Sequence, residues 1–345
     1  MKTTTFTTLA VLAATTHGYW DQTHMITTQI ATQLMPAEDL RYVNALLSTW
    51  NADFPNTGDA TTATIWADLV KCDSVVSTYC PSPAHPSAHN QDDWHYTDLP
   101  LNVDGTDYMG LTSKDVTKLI ALSPDGSALT VLPKALNAFK TTQSTWAANF
   151  ALRYILHIFT DLHQPCHAST GVSPKWPEGD VGGNKYKFVS TCDGANNLHA
   201  YWDSVAGKYG SINWHPNMTA DSPNRQTINE IARNLTAAFN GTTDVANFGQ
   251  YANLPFTEFA KAFAGPALNS VMATSYDLAR FVTYKGIDLT LDAKDKIACP
   301  NEAYKKATID TLERQAYVGG ARLAVVLSQI ARQIKALGLV TPGAC

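Results

Sequence analysis

The stretch Asn149-Phe-Ala-Leu-Arg-Tyr-Ile-Leu-His157-Ile-Phe-Thr-Asp161-Leu-His163-Gln-Pro165-Cys-His167 decides the fold class. Phe150, Ile155, Leu156, Ile158 and Phe159 recur at helical spacing over residues 149–162, and Pro165 stops the run. From His157 to His167, eleven positions hold three histidines and an aspartate. On a helix His157 and Asp161 stand i,i+4, with side chains about 5–6 Å apart, a spacing that suits one metal ion. Pro165 carries His167 beyond the helix end, where it can turn towards a second ion. The same pair recurs in His199-Ala-Tyr-Trp-Asp203. One such pair is often a hydrogen-bonded core pair. Two, in apolar helical surroundings where buried acids need partners, favour metal ligation. Imidazole and carboxylate without clustered thiolates point to zinc, ahead of manganese or iron.

Outward from this stretch, helical periodicity dominates. Ile26, Ile30, Ala31 and Leu34 follow His24 at helix spacing until Pro36. Further helices are predicted over 38–50, 257–283 and 302–336. Ser222 and Pro223 read as a cap and first helical position of a run to about Asn240. Turn formers fill the loops at 80–93 and 169–184. Two-residue alternation is scarce, leaving a short β-hairpin around 185–191. With no internal repeat and no dividing linker, the prediction is a mainly α, single helical domain over residues 19–345.

The whole chain of 345 residues is 45% hydrophobic and 16% charged, which leaves ample material for a core and excludes disorder. Its net charge of −5 argues against a protein that coats duplex DNA. Residues 1–18 read as a secretory leader: Lys2, then an apolar run through Leu9 and Ala14, then Thr16 and Gly18 at the cleavage positions. The mature chain would begin at Tyr19; cleavage after Tyr19 would put a bulky residue at the scissile position. Asn217, Asn234 and Asn240 each head an Asn-x-Thr sequon. Six cysteines form an even set whose pairing stays open: Cys72 with Cys80 would close a local loop, and Cys299 or Cys345 would pin the carboxyl terminus. No later stretch is long and apolar enough to span a bilayer. The expectation is a secreted protein, or a lumenal or vacuolar one after leader removal, free of the membrane.

Trp66-Ala67-Asp68 and Trp94-His95-Tyr96 add an acid and an imidazole in apolar settings. Together with His24, His157-x3-Asp161-x-His163-Gln-Pro-x-His167, Gly182-Gly183-Asn184 and Asn197-Leu-His199-x2-Trp-Asp203, they form an ordered set that extends to Gly319-Gly320-Ala321-Arg322. In that order and spacing the chain resembles the S1/P1 family of secreted, single-strand-preferring zinc nucleases and 3′-nucleotidases. The resemblance runs over nearly the whole mature chain and implies a helical fold of the phospholipase C/P1 nuclease type.

Carried over by residue, it implies three zinc ions. One would be held by Asp68, His95, His157 and Asp161, with Asp161 bridging to a second. The second would take His24 with the amino group and carbonyl of Tyr19. The third would take His167, His199 and Asp203. Asp161 would also orient the attacking oxygen, giving 5′-phosphate products. Asp98 matches a base-recognition acid and Asn184 an amide contact to the nucleotide; Lys71, three after Asp68, is a candidate phosphate contact. His163, between ligands, reads as an outer supporting residue. The implied substrates are single-stranded DNA or RNA and 3′-nucleotides, with no obligate protein partner and a monomeric enzyme. Two features depart from the family: Tyr19 stands where Trp is usual, and the intervals 68–95 and 167–184 are longer. A zinc phospholipase C and an inactive zinc-binding helical protein are the alternatives.

Overall fold

Ser144 opens the helix that carries the deciding stretch, its side chain accepting the Ala147 N–H at 3.2 Å. In the computed structural model, which describes residues 19–72, 89–241 and 248–343, this site helix spans Thr145–Asp161. From Ala148 to Asp161 every side chain but that of Phe150 is buried, as expected of a helix apolar on all sides. The leader, Cys80 and Cys345 lie outside the described residues, as does most of the 80–93 loop.

The first helix (Asp21–Leu34) packs against the site helix and against the long carboxyl-terminal helix, Glu302–Ala336. Two glycines allow the second contact. A Cβ on Gly320 would stand 2.6 Å from the Thr27 carbonyl oxygen, and one on Gly319 would stand 3.3 Å from the Thr27 methyl. The helix Pro223–Phe239 closes another side of the first helix. Helices make up 56% of the structure and strands 6%, so the mainly α class holds.

Several boundaries move. The predicted 38–50 helix runs Ala37–Ser48. Ser222 occupies the cap position before Pro223, yet its hydroxyl accepts the Thr219 N–H at 2.8 Å instead of capping. The 257–283 prediction resolves into helices Phe256–Ala262 and Leu268–Leu278 with π-turns Phe263–Ala267 and Ala279–Thr283; Pro266, lacking an N–H, sits in the first π-turn. The hairpin is present: β3 (Lys187–Cys192) pairs antiparallel with β4 (Ala195–Asn197). Asp193 and Gly194 make its turn with φ of 48° and 89°, the conformation Asp-Gly favours. Unforeseen were a parallel partner for β3, β5 (Lys296–Ile297), and a parallel pair of β1 (Pro100–Asn102) with β2 (Thr170–Val172). Helices Val116–Ala121 and Ala128–Ala138 were also unforeseen.

Cysteine use closes part of the pairing the sequence leaves open. Cys192 bonds Cys299, joining the hairpin to the segment that leads into the carboxyl-terminal helix. Cys72 is disulfide-bonded to a residue outside the described ones. Cys166 is a free, buried thiol. Among the described residues no helix is long and apolar enough to cross a membrane.

Candidate metal centre

Four histidines are aimed by the hydrogen bond each makes through Nδ1. His157 Nδ1 lies 2.6 Å from the Thr64 carbonyl oxygen, His167 Nδ1 3.0 Å from that of His95, and His199 Nδ1 2.7 Å from that of Gly182. A carbonyl only accepts, so each Nδ1 carries a proton, and in the neutral ring Nε2 is the nitrogen with the lone pair. His24 Nδ1 meets the Thr160 hydroxyl at 2.6 Å; that hydroxyl donates to the His157 carbonyl at 2.7 Å and so accepts from His24. These are the outer contacts that fix a metal-ligating tautomer.

The lone pairs converge on carboxylates. Asp161 divides its oxygens: Oδ1 faces His24 Nε2 at 3.3 Å, while Oδ2 faces His157 Nε2 at 3.2 Å and His95 Nδ1 at 3.1 Å. Asp68 stands 3.6 Å from His157 and 3.9 Å from His95. A few residues on, His167 Nε2 and His199 Nε2 approach within 3.1 Å of each other, at 3.5 and 3.4 Å from the two oxygens of Asp203. Three sets of ligand atoms therefore lie close enough to hold an ion: His24–Asp68–His157, His95–His157–Asp161 and His167–His199–Asp203.

The electrostatics ask for cations. Burial opposes charge on Asp161, but His157, His167 and His24 hold its carboxyl well below the usual range. Burial likewise works against the His167 imidazolium, yet Asp161 and Asp203 outweigh it and lift His167 to about 9. His95 is pushed down to about 3 by burial and by Lys71. His24 Nε2, His95 Nε2, His157 Nε2 and Asp161 Oδ1 are buried without a hydrogen-bond partner. The two Nε2 atoms facing each other at 3.1 Å need a proton or a metal ion between them. This donor set of imidazoles and carboxylates, with orphaned atoms turned inward, fits divalent metal ions of the zinc kind.

The remaining predicted residues surround this centre. Lys71 is buried, not solvated, and its Nζ pairs with Asp68 Oδ1 at 2.8 Å. Tyr19 is fully buried, its ring edge-on to His24 at 5.9 Å and its hydroxyl donating to the His163 carbonyl. His163 turns away from the centre: Nδ1 donates to the Phe159 carbonyl and Nε2 accepts from Arg322, a supporting role. Asp98 is 4% exposed, and burial followed by the Asp180 and Asp125 charges raises its carboxyl well above the usual range. Asn184 folds its amide onto the Val181 carbonyl at 3.0 Å.

Sequence reasoning missed three supports. Gln164 donates to Asp203 Oδ1 at 2.6 Å. Thr160, whose only signal was its place one residue before Asp161, orients His24. Asp180, fully buried, accepts from the Gly171 N–H at 2.7 Å and the Tyr284 hydroxyl at 2.8 Å, and so anchors the Gly182–Gly183 turn. That turn needs glycine. Gly182 has φ of 57°, and a Cβ there would stand 2.3 Å from the Cys166 carbonyl oxygen.

The family model described as S1/P1 Nuclease matches residues 19–332. A search among curated proteins found no match.

Proposed function

The chain belongs to the S1/P1 nuclease family, and from that premise we propose a secreted, zinc-dependent endonuclease that cleaves single-stranded DNA and RNA, and 3′-nucleotides, to leave 5′-phosphate products. The family implies a phosphodiester hydrolase, and the candidate His/Asp groups suggest metal use. Zinc as the metal, three ions, single-strand preference and a secreted monomer are our reading.

One observation carries it: Asp161 offers one oxygen to His24 and the other to His95 and His157. Such a division suits a carboxylate shared between two ions. Asp68, His95, His157 and Asp161 would hold the first ion; His24, Asp161 and the Tyr19 main chain the second; His167, His199 and Asp203 the third. When bound, the ions supply Lewis acidity to the scissile phosphate and lower the pKa of a water molecule.

The chain's own residues do the rest. Asp161 orients the attacking water on the line of the leaving 3′ oxygen. Lys71, ion-paired with Asp68, holds that ligand in place and adds positive charge beside the phosphate. Asp98, raised towards its protonated form by burial, can both donate to and accept from a base edge, and Asn184 adds an amide. A base can enter such a pocket only when unstacked, which favours single strands.

The test combines amino-terminal sequencing and metal analysis of the secreted protein with digestion of single-stranded, double-stranded and phosphatidylcholine substrates. A chain beginning at Tyr19, with three zinc ions and selective cleavage of single strands, is expected. Bound zinc without hydrolysis of DNA, RNA or 3′-nucleotides would overturn the proposal, and turnover of phosphatidylcholine alone would transfer it to lipid.

A further inference from the structure

The interval 167–184 has a definite shape. After β2 the chain turns back on itself: the Trp176 N–H donates to the Ser173 carbonyl at 3.0 Å, Ser173 N–H to the Trp176 carbonyl at 3.2 Å, and Gly179 N–H to that same carbonyl at 3.1 Å. These bonds fix the main chain at Trp176, whose side chain is half-buried just before the Asp180–Asn184 turn. The Lys175 and Lys185 ammonium groups stand 5.3 and 5.4 Å from the centre of its ring.

Lys185 immediately follows Asn184 in sequence, and its N–H donates to the Asp180 carbonyl at 3.0 Å, so the indole and the base-pocket amide are presented by one rigid turn. The Lys185 Nζ donates to the Gly179 carbonyl at 2.7 Å, and among the described residues it has no carboxylate partner. Lys175 pairs with Asp295 at 2.7 Å, but at 44% and 60% side-chain exposure that pair is weak. The indole N–H is buried with no acceptor among the described residues, so only part of the ring is open to a ligand.

We infer that Trp176, with Lys175 and Lys185, is a second nucleotide subsite, stacking one base of a single strand whose neighbouring base occupies the Asp98–Asn184 pocket. An exposed cation–π contact is weaker than the stacking of a nucleobase on an indole. An incoming base therefore displaces the exposed Lys175 from the ring, and the freed ammonium turns to the strand's phosphate. The ligand class is an oligonucleotide of two or more residues; a mononucleotide reaches only the first pocket. This inference rests on the nucleotide-hydrolase reading and extends it from the bond cleaved to the length of strand gripped.

The experiment uses the intact mature protein with a fluorescently labelled oligothymidylate carrying phosphorothioate linkages. Binding is read by anisotropy, alongside kcat/KM for an unmodified oligonucleotide and for a 3′-nucleotide. Trp176→Ala should weaken oligonucleotide binding about tenfold and lower the oligonucleotide-to-mononucleotide ratio of kcat/KM by a similar factor. Trp176→Phe should restore most of both. Lys175→Gln should reduce the salt dependence of binding by roughly 0.7 in log–log slope, the share of one phosphate contact on a single strand. Unchanged oligonucleotide affinity in Trp176→Ala would overturn the subsite. So would equal losses on both substrates in Trp176→Ala and Trp176→Phe, which would make the indole a support of the first pocket. If the wild type hydrolyses neither substrate, the nuclease reading falls, while anisotropy still reports whether Trp176 binds the strand.

Discussion

Asp161 concentrates the chemistry in one side chain, because each of its oxygens serves a different set of histidines. Asp161→Asn replaces one oxygen with an amide that cannot ligate. We expect at least about 100-fold loss of activity and a fall in bound metal by elemental analysis; full turnover with full metal would exclude the bridging role. A subtler change tests the outer contacts. Thr160→Val removes the acceptor of His24 Nδ1 while keeping size. Metal affinity, measured by competition with a chelator, should drop roughly 10- to 100-fold. The candidate ligand cluster was legible in the sequence, because i,i+4 spacing on an apolar helix brings His157 and Asp161 together. Their anchors were not. The partners of His157, His167 and His199 are the main-chain carbonyls of Thr64, His95 and Gly182, and any residue type can supply a carbonyl. Lys71 shows the same limit: its burial depends on a partner, Asp68, whose own position is set by the fold.

At the scale of elements, long helices announced themselves and short ones did not. The carboxyl-terminal helix was predicted with its observed ends, Glu302–Ala336, since many turns of amphipathic pattern overrule any local ambiguity. The two- and three-residue ladders of β1, β2 and β5 carry too few residues to show alternation, and tertiary pairing creates them. The Asp193-Gly194 turn was a readable signal that fixes the hairpin's far end. Packing of helix on helix depends on single atoms. A Cβ at Gly320 would press on the Thr27 carbonyl and on Ile30 at 2.7 Å, so the first and carboxyl-terminal helices would have to separate. Gly320→Ala should cost about 1–3 kcal/mol, measured by urea unfolding. Because Thr27 lies one helical turn from His24, bound metal should fall as well. A variant as stable as wild type would show that this contact has room to yield.

Across the molecule, one acidic body surrounds one centre drawn from distant segments. Beginning at Tyr19, the chain has 24 basic and 30 acidic residues, a net charge of −6, and Asp68, Asp161 and Asp203 in that count face the histidine cluster. That charge forbids wrapping a duplex by broad attraction, yet it does not oppose a short strand held at a cationic focus. The centre also acts as a staple. Its side chains come from the first helix, the turn Trp66–Leu69, the turn His89–His95, the site helix, the turn Pro165–His167 and the helix Leu198–Asp203. Bound metal would stabilise only the folded arrangement of these six segments, since the unfolded chain scatters them. At about a thousandfold excess of ion over its dissociation constant, each ion adds about 4 kcal/mol. Chelation at neutral pH should therefore lower the melting temperature by an amount on the order of 10 °C per ion removed. Acid should erase the difference, because histidine and carboxylate ligands bind protons in place of metal as pH falls. The measurement is paired thermal melts, with and without chelator, at neutral and acidic pH. A large gap at neutral pH that closes in acid is the expected result. Coincident melts at neutral pH would mean that the converging histidines and aspartates hold the fold together without metal.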